Sequence, residues 1–419
     1  MVGFLQAGTG AVARTSLDKL RESVSVKDFG AVGDGTTDDT AAIQAAVNYC
    51  IPNQRRLYVP AGNYKTTASI THNLQSGSLY LFGDGNQASV FVAVIPGGAP
   101  TFQFGLDGTY TSNELVITEI GVNNYSNASD AFRCYSIGHI DVSRNSVVGG
   151  KRGIYAKAGF VCNILENFIS NTSGSAVTLD ASAANASRVS FNDLFGCGNG
   201  DNAAAILISA GDNPVVEGND IEGCYGGVQF TSVNCGRIIS NYIEGGTYPF
   251  YFAGGTQAVT IEGNWFGAAS GGTTMENCRN ILVKMNAFYN CNLSINGATA
   301  SDIEVGYNNI TGTSTIAKSS WTTPTLLNSW TNNGGSYQTA GYRKDTNNVI
   351  HLRGQLTGGT TGSTVFTLPL GYSPPATQRY FCSSTSGGCE ISITSSGSVV
   401  ATVAAGGNQI GLNGISFAL

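Results

Sequence analysis

One short phrase recurs through the middle of the chain: a Val or Ile, two spacers, Asn, one spacer, an apolar residue. The Asn positions are Asn123, Asn145, Asn167, Asn192, Asn219, Asn241, Asn264, Asn286 and Asn308, at intervals of 22, 22, 25, 27, 22, 23, 22 and 22 residues. Three residues earlier stand Ile120, Val142, Ile164, Val189, Val216, Ile238, Ile261, Val283 and Val305; two residues later stand Tyr125, Val147, Ile169, Leu194, Ile221, Ile243, Phe266, Phe288 and Ile310. A period near 22 is one coil of a parallel β-helix, whose coils bury their apolar faces only by stacking. Leucine-rich repeats would need several Leu per unit, and propeller blades are roughly twice as long. The phrase therefore predicts inward Val/Ile and inward apolar residues on either side of a bend. Asn suits the bend because it tolerates a left-handed backbone, and stacked Asn side chains can pair from coil to coil.

Composition agrees with an all-β chain. Charged residues are 11% and Gly is 56 of 419, against ordinary shares of about 25% and about 7%. A net charge of −6 argues against a nucleic-acid partner. No apolar run reaches the ~18 residues of a membrane span, so no membrane insertion is expected; no secretory leader is legible at the start. With three His and ten Cys, no Cys/His spacing fits zinc; no other metal ligand set stands out, and no cofactor is expected. Cys197, Cys224 and Cys291 share one position of the coil and read as buried fillers. Cys382 and Cys389 fit a bridged hairpin or two free thiols.

The chain divides into a lead-in (1–25, with a helical phrase at Leu17–Glu22), a cap with the first coils (26–115), the coils proper (116–312), a linker (313–335) and a C-terminal antiparallel β-sandwich (336–419). In the cap a helix is expected after Thr37 or Asp38, which can cap it, with Ile43, Ala46 and Val47 as its buried face. That face would plug the open end of the first coil. The sandwich is read from short segments at Val349–Arg353, Ser363–Leu368, Tyr380–Ser383, Cys389–Thr394, Ser398–Val403 and Gly414–Leu419.

Three phrases of the cap carry a resemblance: Val26-Lys27-Asp28-Phe29-Gly30-Ala31-Val32-Gly33-Asp34-Gly35 with Asp38-Asp39-Thr40, then Val59-Pro60-Ala61-Gly62-Asn63-Tyr64, then Leu81-Phe82-Gly83-Asp84-Gly85. Over roughly residues 5–312 the chain resembles the pectate-lyase-like domain of bacteriophage tailspikes, a right-handed parallel β-helix. Gly8-Thr9-Gly10-Ala11-Val12 and Lys19-Leu20-Arg21 are similar to the neck that precedes it. The resemblance implies a homotrimer in the phage virion tail that binds, and usually cleaves, a surface polysaccharide of a bacterial host, capsule or O-antigen. These motifs are structural and mark no catalytic residue. The longest members carry a virion-attachment domain before the neck; here attachment through other phage tail proteins is expected, or a longer parent chain. Gly341-Tyr342-Arg343-Lys344-Asp345 and Phe366-Thr367-Leu368-Pro369 resemble C-terminal modules of phage tail proteins, which implies trimer clamping or glycan binding.

Chemistry must sit outside the coils. If the residue two after each Asn faces inward, those one and three after face outward. The first outward column reads Ser146, Phe168, Asp193, Asp220, Tyr242, Trp265, Ala287, Asn309; the second reads Val148, Ser170, Phe195, Glu222, Glu244, Gly267, Tyr289, Thr311. Four carboxylates, Asp193, Asp220, Glu222 and Glu244, thus share one face with Phe168, Tyr242, Trp265 and Tyr289, which suit sugar rings. The longer intervals place insertions at Thr172–Ser187 and Cys197–Ala205, as walls of a groove. Neighbouring coils lie about 4.8 Å apart and diagonal positions about 7–8 Å, which admits retaining and inverting hydrolysis alike. Hydrolysis would use Glu222 or Glu244 as the acid, with a second carboxylate activating water; the diagonal pair Asp220 and Glu244 suits inversion, and Asp193 assists. The bland alternative is a set of solvated or trimer-interface acids. A second candidate is basic, namely Arg133, His139, Arg144, Lys151, Arg152, Lys157 and Arg188, and would suit a polysaccharide lyase. A receptor-binding protein without cleavage is the alternative to both.

Overall fold

The computed structural model describes residues 3–124, 129–295, 300–312, 316–317, 321–345, 349–382, 388–403 and 409–419. Two compact units are formed, Met1–Leu293 with Val305–Thr315, and Ser294–Glu304 with Ile316–Leu419. The first is a parallel β-solenoid. Each coil supplies three short strands, as in Ile154–Lys157, Val161–Leu165 and Phe168–Ser170. Each strand pairs in parallel with its counterpart one coil on. The third strands form a continuous 12-stranded sheet from Asp34–Asp38 to Asn309–Thr311.

The repeat behaves as the periodicity predicts from Asn145 onward. Val142, Ile164, Val189, Val216, Ile238, Ile261 and Val283 are buried, as are Val147, Ile169, Leu194, Ile221, Ile243, Phe266 and Phe288. At the final coil Ile310 is 39% exposed, where the register ends. The Asn side chains form a ladder. Asn167, for example, donates its Nδ2 to Asn192 Oδ1 (3.0 Å) and to the carbonyl of Val142 one coil back (2.8 Å). Its backbone N–H also reaches Asn192 Oδ1, at 2.9 Å. The Asn amide that each bend turns inward is thereby satisfied, as burial of an amide requires.

Two expectations about the bend are corrected. The left-handed residue is not the Asn but the residue before it: Arg144, Glu166, Phe191, Gly218, Ser240, Gly263, Met285 and Tyr307 all have φ between 54° and 69°. Most have a Cβ that disfavours this region; the ladder holds them there. Asn123 is also not a rung. Gly121 pairs with Ser146, so Ile120 stands opposite Asn145, after its own left-handed Glu119 (φ 60°). Asn123 pairs with Val148, and its spacing to Asn145 is a coincidence of sequence; Tyr125 lies outside the described residues.

The N-terminal helix runs Thr40–Cys50, and its buried face includes Ile43, Ala46 and Val47. It packs on the first-coil strands Arg56–Val59 and Ile70–His72. Its N-cap is Asp39 rather than Thr37 or Asp38, but the Asp39 side chain makes no cap bond. Asp38 Oδ1 accepts from the Thr40 N–H (3.0 Å) instead. Asp39 turns back to accept from the backbone of Val32 (2.6 Å) and Gly33 (3.0 Å), fastening the loop ahead of the helix. The lead-in phrase forms a short helix, Ser16–Leu20.

The second unit is antiparallel. One three-stranded sheet joins Trp330–Asn332, Gln355–Gly358 and Gln409–Gly411; another joins Gly341–Lys344, Val349–Arg353 and Ser416–Ala418. A four-stranded sheet joins Ser363–Thr367, Ser398–Val403, Cys389–Ile393 and Gln378–Cys382. Ile350, Leu352, Leu356, Phe366, Ile391, Ile410 and Phe417 share its core with Trp330, a residue of the stretch read as a linker. Cys382 and Cys389 are opposed on paired strands and joined as a disulfide. Cys197, Cys224 and Cys291 are buried in the coil interior.

Candidate active site

The third sheet carries the two outward columns in the expected register. Phe168, Asp193, Asp220, Tyr242 and Trp265 are consecutive partners, and so are Ser170, Phe195, Glu222, Glu244 and Gly267. The inward Leu194, Ile221, Ile243 and Phe266 between them anchor each strand in the core. Asp193 and Asp220 are thus neighbours, as are Glu222 and Glu244, at the ~4.8 Å repeat of a sheet. This crowding acts on their protons. Burial first, then Asp193 and Glu244, raise the Asp220 carboxyl above its ordinary value. Glu222 is raised mainly by the charge of Asp220, and further by Glu244 and Asp193. Glu244 accepts a hydrogen bond from the Tyr242 hydroxyl along its own strand, and this raises Tyr242 to about 12.

The aromatics are arranged less openly than an outward column suggests. Tyr242 and Trp265 stack at 4.5 Å with planes 4° apart, and Tyr289 follows Trp265 at 6.4 Å. Tyr242 and Trp265 therefore cover one face of each other. The uncovered face of Tyr242 is turned towards the coil of Asp220 and Glu222. Gly267 makes this stack possible: a Cβ there would lie 2.1 Å from the Trp265 ring, so only glycine lets the indole lie along the strand. Phe168 is exposed beside Asp193, and Phe195, which sequence reasoning placed in the column but not in the site, is exposed beside Glu222.

Of the two insertions, one flanks this face. The turn 198–203 follows Cys197, and its Asn199 amide donates to the carbonyls of Gly196 and Gly223 (3.2 and 3.1 Å), next to Glu222. Of the other, Thr172–Ser187, the start lies against that turn, the Ser173 carbonyl accepting from the Gly200 and Asp201 N–H groups (3.0 and 2.8 Å). Its later part, Ala181–Ala184, is a 3-10 turn against Ala204–Asp212 and Val161–Leu165, between the first and second strands of its coil, and does not wall the acidic face.

Of the basic candidates, Arg133 and Arg152 converge on one carboxylate and the rest pair separately. Arg133 and Arg152 clamp the buried Asp130, each through Nε at 2.7 Å. Lys157 pairs with Asp107 (2.8 Å), Arg144 with Glu119 (3.3 Å), His139 with Glu114 (3.7 Å), Arg188 with Glu217 (3.8 Å) and Lys151 with Asp201 (3.9 Å). Each is thus held by a carboxylate of this chain.

The profile of a family described as "Rhamnogalacturonase A/epimerase, pectate lyase-like" matches residues 23–338. The tail spike protein of Shigella phage Sf6 is 42% identical over 65 residues, 15% of this chain and 10% of that protein. An exo-poly-alpha-D-galacturonosidase of Dickeya chrysanthemi is 39% identical over 75 residues, 17% of this chain and 12% of that one. The chain thus spans only about a tenth of the length of these relatives. Among solved structures, a mutant DFA-IIIase of Arthrobacter chlorophenolicus A6 superimposes with a TM-score of 0.56 at 14% identity, over 69% of this chain and 84% of that one; this is a likeness of fold. Since the profile spans well over half of the sequence and the solenoid it describes is present, the chain belongs to the rhamnogalacturonase A/epimerase, pectate lyase-like family.

Proposed function

We propose that this protein is a phage tailspike that binds and depolymerises a bacterial surface polysaccharide by glycosidic hydrolysis, with its site on the third sheet. The observation that supports this most is the crossed carboxylate set: Asp193 beside Asp220 and Glu222 beside Glu244, with Asp220 and Glu222 both raised. A carboxyl held protonated by its neighbours is a proton donor for a leaving oxygen. The acid belongs to the pair Asp220 and Glu222. Glu244, positioned by the Tyr242 hydroxyl, activates water. With Asp220 as donor, the diagonal spacing of about 7–8 Å suits an inverting displacement. The charge of Asp193 helps to keep a proton on Asp220. The free face of Tyr242, with Phe168, Trp265 and Tyr289, lines the path of the sugar chain. The tail spike relative, with the polysaccharide-acting one, supports the substrate class. Action at the bacterial surface as a homotrimer of the virion tail, with the C-terminal unit clamping the trimer or holding glycan, completes the reading.

The test is to incubate the protein with purified capsule or O-antigen from candidate hosts and size the product. Shortened chains with a new reducing end and no ultraviolet absorbance are expected. Absorbance from a new conjugated double bond would select elimination over hydrolysis, and unchanged chain length on the polysaccharide that the protein binds would leave a receptor-binding protein. A monomeric native mass would remove the trimer.

A further inference from the structure

The C-terminal unit holds a cavity of about 420 Å³ lined by Trp321, Arg343, His351, Arg353, Asn413 and Ser416, among others. Its floor is built by strand pairing. Gly341 stands opposite Arg353, and Arg343 opposite His351, which also pairs with Ser416. Alternate residues of paired strands share a face, so Gly341, Arg343, His351, Arg353 and Ser416 all look the same way. Trp321 is brought over that face by a backbone bridge, in which Thr322 and Tyr342 exchange hydrogen bonds of 2.8 and 2.9 Å. The Arg343 and Arg353 guanidiniums lie 4.9 and 4.5 Å from the Trp321 ring centre. Gly341 leaves the room for this: a Cβ there would meet Arg353 Nε at 3.0 Å and the Trp321 ring at 3.3 Å.

The polar groups of the cavity are not all committed to protein partners. Arg343 Nε and Arg353 Nε are both buried and bond to no atom among the described residues. Leaving a buried charged N–H without an acceptor is costly, and native proteins rarely do so. The carboxylate nearest in sequence, Asp345, is engaged by His351 (2.7 Å) and by the Val349 N–H (2.9 Å). The Asn413 carbonyl is also committed, accepting from Gly354 N–H (2.9 Å), which turns its amide NH₂ free to donate. The cavity therefore presents two planar guanidinium forks, an indole wall and amide and hydroxyl groups, at a volume that takes one or two sugar rings.

We propose that this cavity binds the carboxylate of an acidic sugar residue, with Arg343 and Arg353 as the anion clamp and Asn413 and Ser416 on the ring hydroxyls. A planar carboxylate matches a guanidinium fork in two bonds. The paired guanidiniums argue for an anion; that a sugar carries it rests on the proposed function. The phrase Gly341 to Asp345, whose role the sequence left between clamping and glycan binding, contributes the cradle, one clamp residue and the partner of His351.

Tryptophan fluorescence of the full chain tests this, with Trp321→Phe as the control that removes the reporter. The probes are oligogalacturonate and oligoglucuronate, their carboxyl-reduced counterparts, and inorganic phosphate. A uronate-dependent change at Trp321 is expected, weakened about tenfold or more by Arg353→Gln or Arg343→Gln and by carboxyl reduction. Arg353→Lys keeps the charge but loses the fork, so it should bind weakly while folding normally. Equal binding of reduced and acidic sugars, or of the Gln variants and the parent chain, overturns the proposal. A response to phosphate and to no uronate overturns it as well. Glu222→Gln should leave this binding intact. Uronate binding in a protein that cuts no polysaccharide would remove the depolymerase reading and leave the cavity assignment standing.

Discussion

The solenoid and the C-terminal unit are both all-β, yet they are specified differently. In the solenoid, partners are one coil apart in sequence, so each position sees its own equivalent above and below. Ile238 packs in a stack with Val216 and Ile261, and an error in one coil is felt as a mismatch by two. In the C-terminal unit, pairing is antiparallel and mixes hairpins, such as Gly341–Lys344 with Val349–Arg353, with longer links, as where Trp330–Asn332 joins Gln355–Gly358, which joins Gln409–Gly411. No residue there has an equivalent that reports on it. Repetition spreads a site over a column, as with Asp220 and Glu244; non-repetition gathers one at a point, as with Arg343 and Arg353.

Core substitutions probe this contrast most strongly. Ile238→Ala in the solenoid and Ile391→Ala in the sandwich each remove a fully buried side chain and should each cost about 2–5 kcal/mol in chemical denaturation. A cost below about 1 kcal/mol for Ile238→Ala would mean that the inward register, and with it the outward columns, is misread.

The acidic face comes next. Glu244→Gln, Glu222→Gln and Asp220→Asn should lower cleavage by about 10²-fold or more where the group carries a proton in the reaction, with the fold unchanged by circular dichroism. Near-native rates in all three would move the site off the third sheet. Smaller is the effect of Gly267→Ala. Its Cβ meets the Trp265 ring, so it should cost about 1–3 kcal/mol and shift the Trp265 emission as the stack with Tyr242 opens. An unchanged spectrum would show that the aromatic column tolerates a Cβ.

The smallest expected effect is electrostatic. Asp220 is raised by burial and by its acidic neighbours, so the folded state favours its neutral form. That contribution is present below the ordinary carboxylate value of about 4 and is lost as pH rises through the raised one. Asp220→Asn should therefore stabilise the fold at pH 7, by less than about 1 kcal/mol at so exposed a site, and not at pH 3. An equal gain at both pH values would point to packing. By the same sign, cleavage should fall as pH climbs past the value of the acid.

The solenoid, its outward columns and the crowding of Asp193, Asp220, Glu222 and Glu244 were legible in the order of residues, because a coil repeats and a strand alternates. So was the capping helix, through Ile43, Ala46 and Val47. What sequence could not decide was anything set by a neighbour that periodicity does not name. Asn123 carries the right spacing but the wrong partner, and only pairing of Gly121 with Ser146 reveals it. The left-handed backbone falls on whatever residue precedes the ladder, since the ladder bonds, not that residue's preference, hold it. Trp330 reads as linker because its own stretch neither repeats nor alternates; pairing with Gly358 places it in the sheet. Trp321, Arg343 and Arg353 meet only through antiparallel register and one backbone bridge. Local patterning records which way a side chain faces; what it faces is a matter of tertiary contacts, and both proposed sites depend on it.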